Sequence, residues 1–143
     1  MTLTRAQKAE VIEAMQAYAT AYKKKDIRTL SALFAPEISG FGSGPDEVVL
    51  DRKDFSGQIK RDLSQVTSVS LEYTGMKIFG EGRIAWVTTG CNYYFTIKPG
   101  ITHVLTGRMT IVLRNNGKRW IIEQMHFSMP YGEQAAGQSF PGV

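Results

Sequence analysis

The side chains best suited to moving a proton lie near the C-terminal end of the chain, in the run Trp120-Ile121-Ile122-Glu123-Gln124-Met125-His126-Phe127-Ser128. Alternation along a strand puts Glu123 on the same face as Ile121, Met125 and Phe127, where desolvation raises a carboxyl pKa and suits it to general acid or base work. The plain structural alternative is an ion pair at a pocket mouth, with Arg119 or another cation. Histidine is the residue type most used for proton transfer, but the same parity sets His126 on the opposite face beside Arg108, Trp120 and Gln124, and those four read as subunit-interface residues. A bulge that reversed the face would carry Arg108, Gln124 and His126 into the pocket together. Tyr18, Tyr22, Phe41, Trp86 and Tyr93 are candidates to line a cavity for a flat apolar ligand, joined by Met125 and Phe127 from the inward face. Ordinary core packing accounts for the same aromatic residues, and Trp86 fits either side of the sheet.

Other chemistries find less support. Gly40-Phe41-Gly42-Ser43-Gly44 is neither a nucleophile elbow nor a dinucleotide loop, because no strand-to-helix turn of a parallel unit surrounds it. Two histidines and a single cysteine lack zinc-type spacing, so no metal site and no cofactor are expected. Cys91 sits in a strand-like run and reads as a buried, inert thiol. The net charge is +4, but the basic residues are scattered, and their one run, Lys23-Lys24-Lys25, closes a helix where cations are favoured; nucleic-acid binding is not expected. The apolar stretches fall far short of the roughly 18 residues of a membrane span. Met1-Thr2-Leu3-Thr4 runs straight into a charged amphipathic pattern, and the expected location is cytoplasmic.

The elements that position these residues follow from periodicity. Thr4-Arg5-Ala6-Gln7 has capping-box spacing, and Val11, Ala14, Met15, Tyr18, Ala21 and Tyr22 recur at intervals of three and four behind it, giving a helix of about 20 residues. Asp26 caps a short second helix carrying Leu30, Leu33 and Phe34, which stops before Pro36. An extended piece, Ile38 to Phe41, leads into the loop Gly42-Ser43-Gly44-Pro45-Asp46 and a short strand, Val48 to Leu50. Asp51 opens a third helix with Phe55, Ile59 and Leu63 on one face and Arg52, Lys53, Lys60 and Arg61 on the others. From Val66 the period falls from about 3.6 to 2, giving strands at Thr67 to Phe79, Arg83 to Ile97, Ile101 to Arg114 and Lys118 to Ser128. Their short connections, Gly80-Glu81-Gly82, Lys98-Pro99-Gly100 and Asn115-Asn116-Gly117, make an antiparallel meander. Helices followed by a meander define an α+β domain and exclude a parallel sheet.

A three-residue loop at Asn115-Asn116-Gly117, with Gly117 in the left-handed position, sets Arg114 opposite Lys118. Odd residues then face odd residues. Met109, Ile111, Leu113, Ile121, Met125 and Phe127 turn inward with Arg119 and Glu123 among them, while Trp120, Ile122 and their neighbours form a second surface for another subunit to cover.

With this outline, three segments resemble the SnoaL-like branch of the nuclear transport factor 2-like superfamily, the branch similar to the association domain of calcium/calmodulin-dependent protein kinase II. They are Phe41-Gly42-Ser43-Gly44-Pro45-Asp46-Glu47, Gly107-Arg108-Met109-Thr110 through Leu113, and Gly117-Lys118-Arg119-Trp120-Ile121-Ile122 with His126-Phe127-Ser128. The resemblance implies a cone-shaped fold with N-terminal helices packed on a strongly curved antiparallel sheet, a pocket at the wide end, and a homodimer formed through the sheet. It covers one domain, residues 1–130, followed by a tail at 131–143. No aspartate follows Asp62, so the strands lack the aspartate bases for which ketosteroid isomerase and polyketide cyclase relatives are known. Three functions remain open: a dimeric binder of a small, largely apolar molecule, a lyase, isomerase or cyclase using Glu123 with a pocket tyrosine, and an assembly domain with a vestigial pocket.

Overall fold

The computed structural model describes residues 2–142; Met1 and Val143, the first residue of the chain and the last of its tail, lie outside them. Helix α1 (Arg5–Lys23) begins at the expected capping box: Gln7 N donates to Thr4 Oγ1 at 3.1 Å, and Thr4 N to Gln7 Oε1 at 2.9 Å. Its stripe of Val11, Met15, Tyr18, Ala21 and Tyr22 is buried. Lys25 then takes a left-handed conformation, and its Nζ donates to the Val66 carbonyl at 2.6 Å, so one member of the basic run is a structural tie. Helix α2 (Ile27–Ala32) is capped by Asp26, as expected.

Strand β1 (Phe34–Phe41) starts earlier than periodicity suggests and runs through Pro36, whose missing N–H is accommodated where the pairing with the neighbouring strand shifts register, between Phe34 and Ser39. A short β2 (Val48–Val49) pairs back on β1. Helix α3 (Arg52–Ser64) buries Phe55, Ile59 and Leu63. The meander follows as β3 (Ser68–Glu81), β4 (Ile84–Thr96), β5 (Thr102–Asn115) and β6 (Trp120–Ser128). The strands form one six-stranded sheet in the order β2-β1-β6-β5-β4-β3. The parallel pairing of β1 with β6 is the exception to the expected antiparallel sheet; helix α3 and the whole meander separate the two strands in sequence and supply the crossover.

Strand parity near the C-terminus departs from expectation for a definable reason. The loop between β5 and β6 has four residues, because Asn115 pairs with Trp120. Asn116 Oδ1 accepts from Lys118 N at 2.9 Å and Arg119 N at 3.0 Å, which closes that longer loop. Arg114 therefore lies opposite Ile121, and Leu113 opposite Ile122. A bulge then leaves Glu123 without a partner position, after which Val112 meets Gln124 and Met109 meets Phe127. Trp120 and Ile122 consequently point into the core, where Trp120 is 4% exposed. Placing Trp120 on a dimer surface is corrected: its indole N–H donates to Glu10 Oε2 of α1 at 3.0 Å. The bulge restores the original parity for Met125 and Phe127, both buried.

An aromatic chain ties the layers together. Phe55 of α3 meets Phe34 of β1 at 4.3 Å between ring centroids, Tyr22 of α1 meets Tyr93 of β4 at 5.6 Å, and Tyr93 meets Phe127 of β6 at 5.0 Å. Tyr73 of β3 anchors α1 by donating to the Met15 carbonyl at 2.9 Å.

Candidate functional site

Between α1, α3 and the inner face of the sheet lies a cavity of about 260 Å³. Six of the expected ligand-binding residues, Tyr18, Tyr22, Phe41, Tyr93, Met125 and Phe127, line it. Trp86 does not: it is on the outer face of the sheet, against Phe79 at 6.5 Å, because β4 pairs Trp86 with Phe79 and sends Val87 inward.

Glu123 is also outside the cavity, which corrects its assignment as the catalytic acid. Extruded at the bulge, it pairs with Arg114, Nε to Oε1 at 3.1 Å, in a second, separate depression shared with Arg52, Arg119 and Ala35. His126 stays on the outer side of β6, its ring 5.4 Å from that of Phe41. Arg108 donates to Ser128 Oγ across the same face at 3.2 Å, and Gln124 stands opposite Val112. Arg108, Gln124 and His126 thus share the outer sheet surface.

The cavity's polar wall comes from a region that sequence reasoning passed over. The 42–47 loop folds back so that Gly42 N donates to the Glu47 carbonyl at 2.9 Å, while Gly44 N bonds the Glu47 carboxylate. Midway along α3, the Gln58 amide donates to Glu47 Oε1 at 3.0 Å and to Asp62 Oδ1 at 2.9 Å, bridging two carboxylates. Both acids line the cavity, with Ser43 and Gln65 nearby. Burial is the main reason that the Asp62 carboxyl is pushed up to about 6; the Gln58 hydrogen bond and Arg61 oppose the rise, and Glu47 and Asp46 add to it. A signal for Asp62 was present: it lies three residues after Ile59 and seven after Phe55, on the flank of the buried stripe.

Opposite this wall, burial raises the phenol of Tyr22 well above its usual range, and the charges of Asp62 and Glu47 raise it further. Tyr18 behaves alike, chiefly through burial. Among the described residues neither hydroxyl has a protein hydrogen-bond partner, and no unpartnered polar side-chain atom is sealed from solvent, so both hydroxyls open onto the cavity. Cys91 lies behind them, its thiol pushed by burial up to about 12 against a hydrogen bond with Tyr93. Among the described residues no group of three or more His, Cys, Asp or Glu side chains is placed to hold a metal ion, and no helix is long and apolar enough to cross a membrane.

The raised Asp62 carboxyl has a consequence for stability. Between about pH 4 and 6 the native state binds more protons than the unfolded chain, so stability falls as pH rises through that window, and the cost is fully present above it. Asp62→Asn is expected to stabilise the protein at pH 7.5 by on the order of 1–2 kcal/mol, discounted for the partial exposure of the group, and to have little effect at pH 3.5. Urea titrations at the two pH values check this, and equal effects at both would contradict it.

The chain belongs to the SnoaL-like domain family, which it matches over residues 11–132. Solved structures agree on the fold. A nuclear transport factor 2-like superfamily protein from Salmonella enterica serovar Typhimurium is similar with a TM-score of 0.82 at 20% identity, covering 96% of this chain and 100% of that one. A nuclear transport factor 2-like protein of unknown function from Pseudomonas putida gives 0.80 at 15% identity, over 99% and 98% of the chains. A proposed dehydratase of the same family from Streptomyces avermitilis gives 0.83 at 19% identity, over 90% and 99%. No curated protein matches the chain.

Proposed function

We propose that the protein binds a small, largely apolar molecule of one or two rings in this cavity. The observation that carries the reading is the lining: rings of Tyr18, Tyr22, Phe55, Tyr93, Phe95 and Phe127 surround the space, and its charged and amide side chains, Glu47, Gln58, Asp62 and Gln65, come from the 42–47 loop and from α3 with its C-cap. Such a distribution buries most of a ligand's apolar surface while leaving a few groups to orient it. The neutral probe 2-naphthalenemethanol is expected to bind once per chain, shifting NMR signals of Tyr22, Tyr93 and Met125. Leu105→Trp, which fills the lining from β5, is expected to abolish the effect. No binding at millimolar concentration, or equal binding by the filled variant, would defeat the proposal.

A second reading, a lyase, isomerase or cyclase, is favoured by one observation: Asp62 is a cavity carboxyl pushed up to about 6, where it exchanges protons near neutral pH. In that reading Asp62 takes the role that the sequence suggested for Glu123, with Tyr18 or Tyr22 as hydrogen-bond donor. For the homodimer, the contact we favour is the outer sheet face, where Phe79, Trp86 and Val104 are each about half exposed.

A further inference from the structure

The cavity's charges are of one sign. Glu47 and Asp62 line it, and no Lys, Arg or His does. The nearest cations are committed elsewhere. Arg61 bonds Asp46 at 2.5 Å and stands 4.0 Å from Glu47, outside the lining, while Lys25 is held by the Val66 carbonyl. The chain as a whole carries +4, so its long-range field favours anions, and the local wall opposes that field.

The charged hydrogen-bonding capacity left unused in the cavity is an acceptor. The Gln58 amide and Gly44 N occupy both oxygens of Glu47, and Gln58 occupies Asp62 Oδ1; among the described residues Asp62 Oδ2 accepts from no protein donor. The hydroxyls of Tyr18 and Tyr22 add two oxygens that can accept while each keeps an O–H to donate; neither has a protein partner among the described residues, and since no unpartnered polar side-chain atom is sealed from solvent, both face the open space of the cavity. Around them stand aromatic rings, Tyr18 to Tyr22 at 5.8 Å and Tyr22 to Tyr93 at 5.6 Å. A free carboxylate oxygen, unpartnered hydroxyl oxygens and ring faces together describe the complement of an ammonium group, which has donors only and is attracted to aromatic faces.

We propose that the cavity selects a small aromatic amine, bound as its ammonium with the charge at Asp62, over neutral and anionic molecules of the same shape. The inference rests on the proposed binding role and deepens it. A carboxylate ligand would be desolvated beside two carboxylates; an alcohol would satisfy fewer acceptors.

The test is a matched set of probes at pH 7.5, measured by calorimetry: 2-naphthylmethylamine, 2-naphthalenemethanol and 2-naphthoic acid. The amine is expected to bind about tenfold more tightly than the alcohol, the order of effect of one charged hydrogen bond, and the acid more weakly than both. In Asp62→Asn the advantage of the amine over the alcohol is expected to disappear while alcohol binding persists. Equal affinity for amine and alcohol, tighter binding of the acid, or an amine preference that survives Asp62→Asn would overturn the proposal and leave the binding role standing. Failure of all three probes to bind would instead remove that role and this inference with it. Circular dichroism confirms that the variant is folded, and the ranking on the unaltered protein decides independently of it.

Discussion

Trp120→Ala is expected to cost about 3–5 kcal/mol of folding free energy, a large share of the roughly 5–15 kcal/mol typical of a domain this size. The indole is buried at the start of β6 and reaches Glu10 of α1, so truncation opens a void between helix and sheet and leaves the Glu10 carboxylate without its donor. Trp120→Phe separates the two contributions, since it keeps most of the ring and removes only the hydrogen bond, worth about 1 kcal/mol. Urea denaturation of both variants, with sedimentation of the native proteins, measures the effect. A loss below about 1 kcal/mol for Trp120→Ala, accompanied by dissociation of an oligomer, would return this residue to the surface role that alternation suggested.

The second large effect is expected at Gly40, in β1 directly opposite Met125 of β6. A Cβ there would run into the Met125 carbonyl oxygen and lie 2.8 Å from its carbonyl carbon. Both are backbone atoms of the neighbouring strand β6, with no rotamer that relieves the overlap, so Gly40→Ala must push β1 away from β6. A loss of about 3 kcal/mol or more is expected. Gly57, inside α3 with no atom within 4 Å of where a methyl group would sit, provides the control: Gly57→Ala should stabilise by up to about 1 kcal/mol. Thermal melts of the pair decide the matter; a Gly40→Ala midpoint indistinguishable from the unaltered protein would refute the close approach. Because β1 supplies Phe41 and runs into the loop that supplies Ser43 and Glu47 to the cavity, the same variant should weaken the proposed binding of the naphthalene probe in whatever fraction remains folded.

The architecture was legible in the sequence because long elements average over local irregularity. The stripe of α1 and the change of period near Val66 each rest on many residues, the capping box at Thr4 and Gln7 on a specific local pairing, and all survive in the structure. The site was less legible because it depends on single-residue events. One extra residue in the Asn116 loop inverted Trp120 and Ile122, and the bulge at Glu123 inverted the strand again, so the buried Met125 and Phe127 were placed well while the acid at the bulge was not. Trp86 illustrates the limit of pattern, since both faces of β4 carry aromatic residues and only pairing with Phe79 decides its side. Asp62 was overlooked for a different reason. It follows Lys60 and Arg61 in a helix whose polar residues read as solvated, and its link to Glu47 runs through Gln58, one turn back on the same helix, to a loop that periodicity does not connect to α3.

The two tryptophans stand on opposite sides of one sheet, Trp120 inside it and Trp86 at 45% exposure outside. Their fluorescence therefore divides by environment: emission from the sheltered indole follows the integrity of the interior, whereas the other is open to collisional quenchers and senses whatever covers the convex surface. With Trp86 replaced by phenylalanine, the remaining signal tracks unfolding alone, and subtracting it isolates contact at the outer surface. The molecule thus carries separate optical probes for folding and for association without any added label.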